Sequence, residues 1–220
     1  MGKNMTNFSD LLKGYHRFRS EHWETEKERW KELKEGQNPR VMIIACSDSR
    51  VDPTRIFDTY PGETFVVRNV AALVPPFETT PGQHGVSSAL EFAVQVLHVD
   101  EIVVMGHGSC GGCSAALSEG MKGMPPGKGG FIAEWITMLD DARAKVAAAH
   151  EDLTSPAARL AMEHEGVRTS LANLRTFPCI KEKEADKSLK LIGAWFAIAE
   201  GKLHVLDDET DTFCVIDETA

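Results

Sequence analysis

Three short, unbroken apolar runs constrain this chain most: Val41-Met42-Ile43-Ile44-Ala45, Phe65-Val66-Val67 and Ile102-Val103-Val104-Met105. A strand wetted on one face alternates apolar with polar residues, whereas a strand covered on both faces reads as continuously apolar. Strands of the second kind belong to parallel sheets roofed by helices. Between the second and third runs, Gly85 to Leu97 carries Val86, Leu90, Phe92, Ala93 and Leu97, a pattern that reads as a crossover helix. Strand and helix alternate, which predicts an α/β fold with a mainly parallel central sheet flanked by helices.

The flanks extend this plan. From Ser9 to about Glu35, the residues Leu11, Leu12, Tyr15, Phe18, Trp23 and Trp30 recur among many charges until Gly36 and Pro39 stop the pattern. The spacing predicts an amphipathic helical arm over 1–36 ahead of an α/β body over 37–220, together one domain, with the aromatic face packing on the body or on a partner subunit. Gly120 to Gly130 reads as a loop, and helices are expected from Phe131 to Phe177. Leu189–Ile198, Leu203–Leu206 and Phe213–Ile216 read as strands joined by tight turns, Glu200-Gly201 being the clearest, and supply a C-terminal edge strand.

Composition removes several classes of function. With 220 residues and 42% hydrophobic content the chain can bury an ordinary core. A formal charge of −9 without any Lys/Arg cluster argues against a nucleic acid or an anionic membrane as partner. No apolar run approaches the roughly 18 residues needed to span a bilayer, and the N-terminus lacks the apolar stretch of a signal peptide. Five widely spaced cysteines do not make a small secreted disulfide framework, so a reducing cytoplasm is expected. Met1-Gly2 with Thr6 fits the loose myristoylation pattern and reads as a plain start.

Two of the apolar runs lead directly into residues with chemistry. Cys46-Ser47-Asp48-Ser49-Arg50 follows the first run, and His107-Gly108-Ser109-Cys110 follows the third. In open α/β sheets ligands collect at the carboxyl ends of strands, so the two segments can converge. Cys46, His107 and Cys110 offer zinc two thiolates and an imidazole, a catalytic set that leaves the fourth position open. Asp48 could close that position as a ligand, accept a hydrogen bond from metal-bound water while Arg50 holds it, or form a plain surface ion pair. Rival readings exist for the same residues. Gly106 to Gly111 fits the G-x-G-x-x-G fingerprint but runs into a short helical segment, Ser114 to Leu117, and then a Gly/Pro loop. Cys110 and Cys113 form a C-x-x-C pair, as in thiol oxidoreductases. A zinc-stabilised interaction module would use Asp48 as a permanent fourth ligand.

CSDSR at Cys46 to Arg50, FVVRNVA at Phe65 to Ala71 and GHGSCGG at Gly106 to Gly112 resemble the beta-class carbonic anhydrases, over about Gln37 to Ala116. The resemblance implies one Zn²⁺ per subunit on Cys46, His107 and Cys110, an Asp48/Arg50 dyad beside it, and a homodimer or dimer of dimers. It also implies reversible hydration of carbon dioxide to bicarbonate and a proton by a zinc-bound hydroxide. Gln37 stands where plant-type members carry a substrate-binding glutamine; Phe65, Val70 and Phe92 match apolar pocket positions, and Gly111 could offer a backbone N–H. Without the family, Gln37 is a polar residue after a helix stop, the three apolar residues are core, and Gly111 belongs to a tight turn. Phe92 replaces a tyrosine found in many members. Some bacterial members close when bicarbonate binds a tryptophan, an arginine and a tyrosine; here Arg68 is present but Ile43 takes the tryptophan's place, so an open site with Asp48 on Arg50 is expected. Two thiolates neutralise the metal more than three imidazoles would, so activity is expected to rise into the alkaline range. Relatives that hydrolyse carbon disulfide or carbonyl sulfide would use the same ligands.

Overall fold

The computed structural model describes residues 6–216; the Met1-Gly2 pattern lies outside them. The chain divides between Asn38 and Pro39 into two compact units. The first is helical: α1 (Phe8–Arg17), a wider π-helical turn (Phe18–His22), α2 (Trp23–Thr25) and α3 (Lys27–Glu35). Asn7 caps α1 through a box in which its side chain accepts from the Asp10 N–H while the Asp10 carboxylate accepts from the Asn7 N–H. Phe18 and Trp30 meet edge to face, with ring centroids 5.7 Å apart, so part of the predicted aromatic face packs within the unit itself.

The second unit is built on six strands: β1 (Val41–Cys46), β2 (Thr64–Asn69), β3 (Glu101–His107), β4 (Lys190–Ala197), β5 (Lys202–Asp207) and β6 (Thr212–Val215). Their order is β2-β1-β3-β4-β5-β6. The first four run parallel, and β5 and β6 continue the sheet antiparallel, with β6 at the edge. In β1, Met42 and Ile44 enter one core cluster while Ile43 and Ala45 enter another, so the strand is covered on both faces. Continuous apolar sequence is the result, and each fully buried large side chain there contributes about 1.5–3 kcal/mol.

The helices are α4 (Pro53–Ile56), α5 (Gly85–Glu91), α6 (Gly111–Ser118), α7 (Gly130–Ile136), α8 (Asp140–Ala149), α9 (Pro156–Leu174) and α10 (Pro178–Ala185). The crossover helix differs in detail from expectation: α5 opens into a π turn over Phe92–Val96, closed by the Leu97 N–H on the Phe92 carbonyl. Helix α6 starts at Gly111, three residues earlier than expected, because Cys110 takes an extended backbone and serves as its N-cap. Helix α9 crosses β3 closely. A Cβ on Gly106 would lie 2.7 Å from Val167 Cγ2, so only glycine permits this approach beside His107. Among the described residues, no helix is long and apolar enough to cross a membrane.

Candidate metal centre

Strands β1 and β3 are hydrogen-bonded neighbours, with Ala45 opposite Met105, so their carboxyl ends set Cys46 and His107 side by side. Cys110 follows as the N-cap of α6. Between them Ser109 takes a left-handed backbone, φ +56°, unusual for a residue with a Cβ. All three predicted ligands are buried, and their ligand atoms lie within 4.8 Å of one another.

The donor set fits a zinc ion. His107 Nδ1 lies 2.9 Å from the Gly108 carbonyl, which places a proton there and leaves the Nε2 lone pair for a metal. Nε2 is itself buried with no hydrogen-bond partner, an arrangement that is costly unless something else binds there. A neighbouring thiol and burial push Cys46 up to about 12, and the Cys113 thiol beside Cys110 does the same, also to about 12. Without a cation both sulfurs therefore keep their protons.

Asp48 is held beside His107 by Arg50. Arg50 Nε donates to its Oδ1 at 2.9 Å, Arg50 Nη2 donates to its Oδ2 at 2.6 Å, and the Arg50 main-chain N–H adds a third bond at 2.9 Å. These bonds hold the Asp48 carboxyl well below the usual carboxylate range. Oδ2 lies 4.0 Å from His107 Nε2. Arg50 Nη2 also donates to the Ser109 carbonyl at 3.0 Å, so one guanidinium ties the Asp48 loop to the Cys110 loop. The left-handed turn at Ser109 belongs to the segment that makes this contact.

Arg68 is fully engaged with the loop after β1. Its Nε donates to the Cys46 carbonyl at 2.9 Å, Nη2 to the Asp48 carbonyl at 2.7 Å, and Nη1 to Asp52 Oδ2 at 2.9 Å. Asp52 in turn caps α4 through the Thr54 N–H. The buried carboxylate of Glu163 accepts the Cys110 N–H at 3.1 Å and the Trp195 indole N–H at 3.2 Å.

The remaining candidates fall into separate groups. Phe65 and Phe92 stack with centroids 5.8 Å apart. Val70 follows β2, and its carbonyl accepts the Trp135 indole N–H at 2.9 Å. Val70 and Ala71 press on the first turn of α6: a Cβ on Gly112 would lie 2.9 Å from Val70 Cγ1 and from Ala71 Cβ. Gly111 opens α6, and a Cβ there would meet nothing within 4 Å. Gln37 lies in the first unit, exposed, and not in the unit that carries Cys46, His107 and Cys110.

Sequence reasoning passed over Glu163, Trp195 and the contacts of Arg68. A signal for Glu163 was present: it shares a helical stripe with Gly166, Val167 and Ser170, all buried, where an acid is out of place unless it has partners.

The carbonic anhydrase family model matches residues 41–203. A carbonic anhydrase of Pseudomonas aeruginosa is 38% identical over 210 residues, covering 95% of this chain and 92% of that protein. Among solved structures, the beta-carbonic anhydrase CcaA superposes with a TM-score of 0.88 at 28% identity, over 96% of this chain and all of that one. A tetrameric beta-carbonic anhydrase of Sordaria macrospora gives 0.79 at 27%, over 96% and 98% of the two chains. The Coccomyxa beta-carbonic anhydrase, solved with acetazolamide, gives 0.79 at 28%, over 92% and 87%.

Proposed function

The chain belongs to the beta-class carbonic anhydrases, and from that membership we propose that it hydrates carbon dioxide reversibly to bicarbonate and a proton, using one zinc ion per subunit held by Cys46, His107 and Cys110. The observation that carries this reading is the buried, unpartnered Nε2 of His107 within reach of two thiols. When bound, zinc would supply a water acidified toward neutral pH as the nucleophile.

The chain's own residues do the rest. Arg50 keeps Asp48 ionised, hence a pure acceptor, with Oδ2 on the His107 side. A water donating its hydrogen to that oxygen presents a lone pair in a fixed direction, toward the carbon of the substrate. By the family resemblance Phe65, Val70 and Phe92 would supply the apolar lining that a small nonpolar gas needs and the Gly111 N–H a donor for a product oxygen, although Phe65, opposite Met42, and Phe92, stacked on it, lie away from the level of Cys46 within one chain. Glu163 and Arg68 fasten the two ligand loops to the body, and Arg50 ties the loops to each other.

A homodimer or dimer of dimers completes the reading. Phe131 is 74% exposed beside Ile132, Trp135 and Val70, an apolar patch that suits a second copy, and the Sordaria macrospora relative is a tetramer. The cysteines are free thiols, as suits a reducing cytoplasm.

Stopped-flow hydration of carbon dioxide with a pH indicator tests the proposal, using protein of measured zinc content beside a chelator-stripped sample. Fast proton release that vanishes with the zinc is expected. Full zinc occupancy without hydration would overturn the substrate assignment and direct attention to carbon disulfide and carbonyl sulfide.

A further inference from the structure

Among the described residues Glu163 is the only buried acid, 6% exposed, and both of its oxygens face groups the fold does not otherwise satisfy. Cys110 is an N-cap, so its N–H has no acceptor within α6 and takes Glu163 Oε1 instead. Trp195 Nε1 takes Oε2. The height of Glu163 along the sheet is fixed by the close contact of α9 with Gly106, one residue before His107. Glu163 also borders a half-open pocket of about 450 Å³, together with Gly108, Cys110, Arg159, Trp195 and Glu200. The Cys110 loop therefore borders open space there, and its main chain is tied by the Gly108 N–H on the Phe196 carbonyl, by Arg50 at the Ser109 carbonyl and, at Cys110 itself, by the Glu163 carboxylate.

We propose that Glu163, braced by Trp195, is a positioning residue for the metal: it anchors the main chain of Cys110 at the ligand itself and so sets how tightly zinc is held. The proposal rests on the zinc assignment made above. Residues that orient a ligand from behind commonly change metal affinity about 10–100-fold when replaced.

Glu163→Gln is the first variant, because the amide keeps the size of the side chain but turns one acceptor into a donor, directed at an N–H. Trp195→Phe is the second, removing the indole N–H together with the five-membered ring that carries it. Ser155→Ala is the control: it takes away the N-cap of the same helix without touching Glu163. Zinc per subunit, zinc affinity by competition with a chromophoric chelator, and the absorption spectrum of the Co²⁺-substituted protein are compared with wild type. Glu163→Gln should weaken zinc binding about 10–100-fold and shift the cobalt bands, Trp195→Phe should do so to a smaller degree, and Ser155→Ala should lower the melting temperature with neither effect. Wild-type affinity and spectrum in Glu163→Gln, or equal weakening in Ser155→Ala, would overturn the positioning role. If Glu163→Gln does not fold, an unchanged Trp195→Phe overturns it. A wild-type protein that binds no zinc at all would instead fail the functional reading and take this one with it.

Discussion

Replacing Asp48 by alanine separates the two roles open to a carboxylate beside a metal. As an orienting acceptor, Asp48 contributes to turnover and little to the metal; as a fourth ligand it contributes to both. The Asp48 and Arg50 side chains are 18% and 48% exposed, so the lost ion pair should cost no more than about 1 kcal/mol of stability. That corresponds to about 2–4 °C in melting temperature for a chain of this length. Turnover should fall much further. Removing one preorganised hydrogen-bonding group from an active site costs about 100- to 1,000-fold, and partial exposure lets a solvent water replace some of the lost acceptor. The lower end, about 100-fold or roughly 2.7 kcal/mol in the barrier, is therefore expected. Stopped-flow hydration, zinc content and thermal unfolding on the same preparation give all three quantities. Turnover within about threefold of wild type would refute the orienting role, since that is too small a loss for this class of effect, and zinc loss in proportion to activity would show Asp48 to be a ligand.

Three further outcomes follow from the geometry. Because both Cys46 and Cys110 are held up to about 12 without metal, zinc binding near neutral pH should release about two protons per ion, one from each thiol; calorimetry in buffers of different ionisation heat measures this, and release of none would mean the thiols are not ligands. Gly112→Ala would place a Cβ 2.9 Å from Val70 and Ala71, so it should cost about 1–3 kcal/mol and lower activity, while an unchanged melting temperature would show that this contact yields freely. Burial, then Arg168 and His204, hold His164 down to about 4, below the 6.5 of an exposed imidazole. The unfolded chain therefore takes up the proton first, and stability that is whole above about pH 6.5 is lost as pH falls toward 4, by roughly 3 kcal/mol at most. His164→Phe keeps a ring against Phe213 and should flatten that slope in thermal unfolding; an identical slope would exclude His164 as its origin.

The candidate ligand segments were legible because Cys46 and the segment from His107 to Cys110 each come at the end of an apolar run, and a run covered on both faces announces where its strand stops. Cys46 and His107 could be placed together from that alone. The partners of the ligands were not legible in the same way. Glu163 and Trp195 lie far from Cys110 along the chain and meet it only after α9 and β4 have packed on β3, a tertiary event with no local pattern. The carbonyls that Arg68 binds are main-chain atoms and leave no trace in side-chain identity. The early start of α6 was missed because Gly111 and Gly112 look like a turn, whereas the close fit of Val70 and Ala71 is what requires a residue as small as glycine at 112. The roles given to Gln37, Phe65, Val70, Phe92 and Gly111 come from the motif resemblance, since nothing in their own spacing distinguishes them from core or turn residues.

Cys46 and His107 stand at the ends of adjacent strands already joined by main-chain hydrogen bonds. An ion that links them closes no new loop, because the sheet has already met the entropic cost of bringing these distant parts of the chain together. In small zinc modules the metal replaces a hydrophobic core, and its removal unfolds the chain. Here the order of events is reversed: the fold comes first, and the empty protein should keep its sheet, accept zinc after synthesis, and give it up without losing its shape.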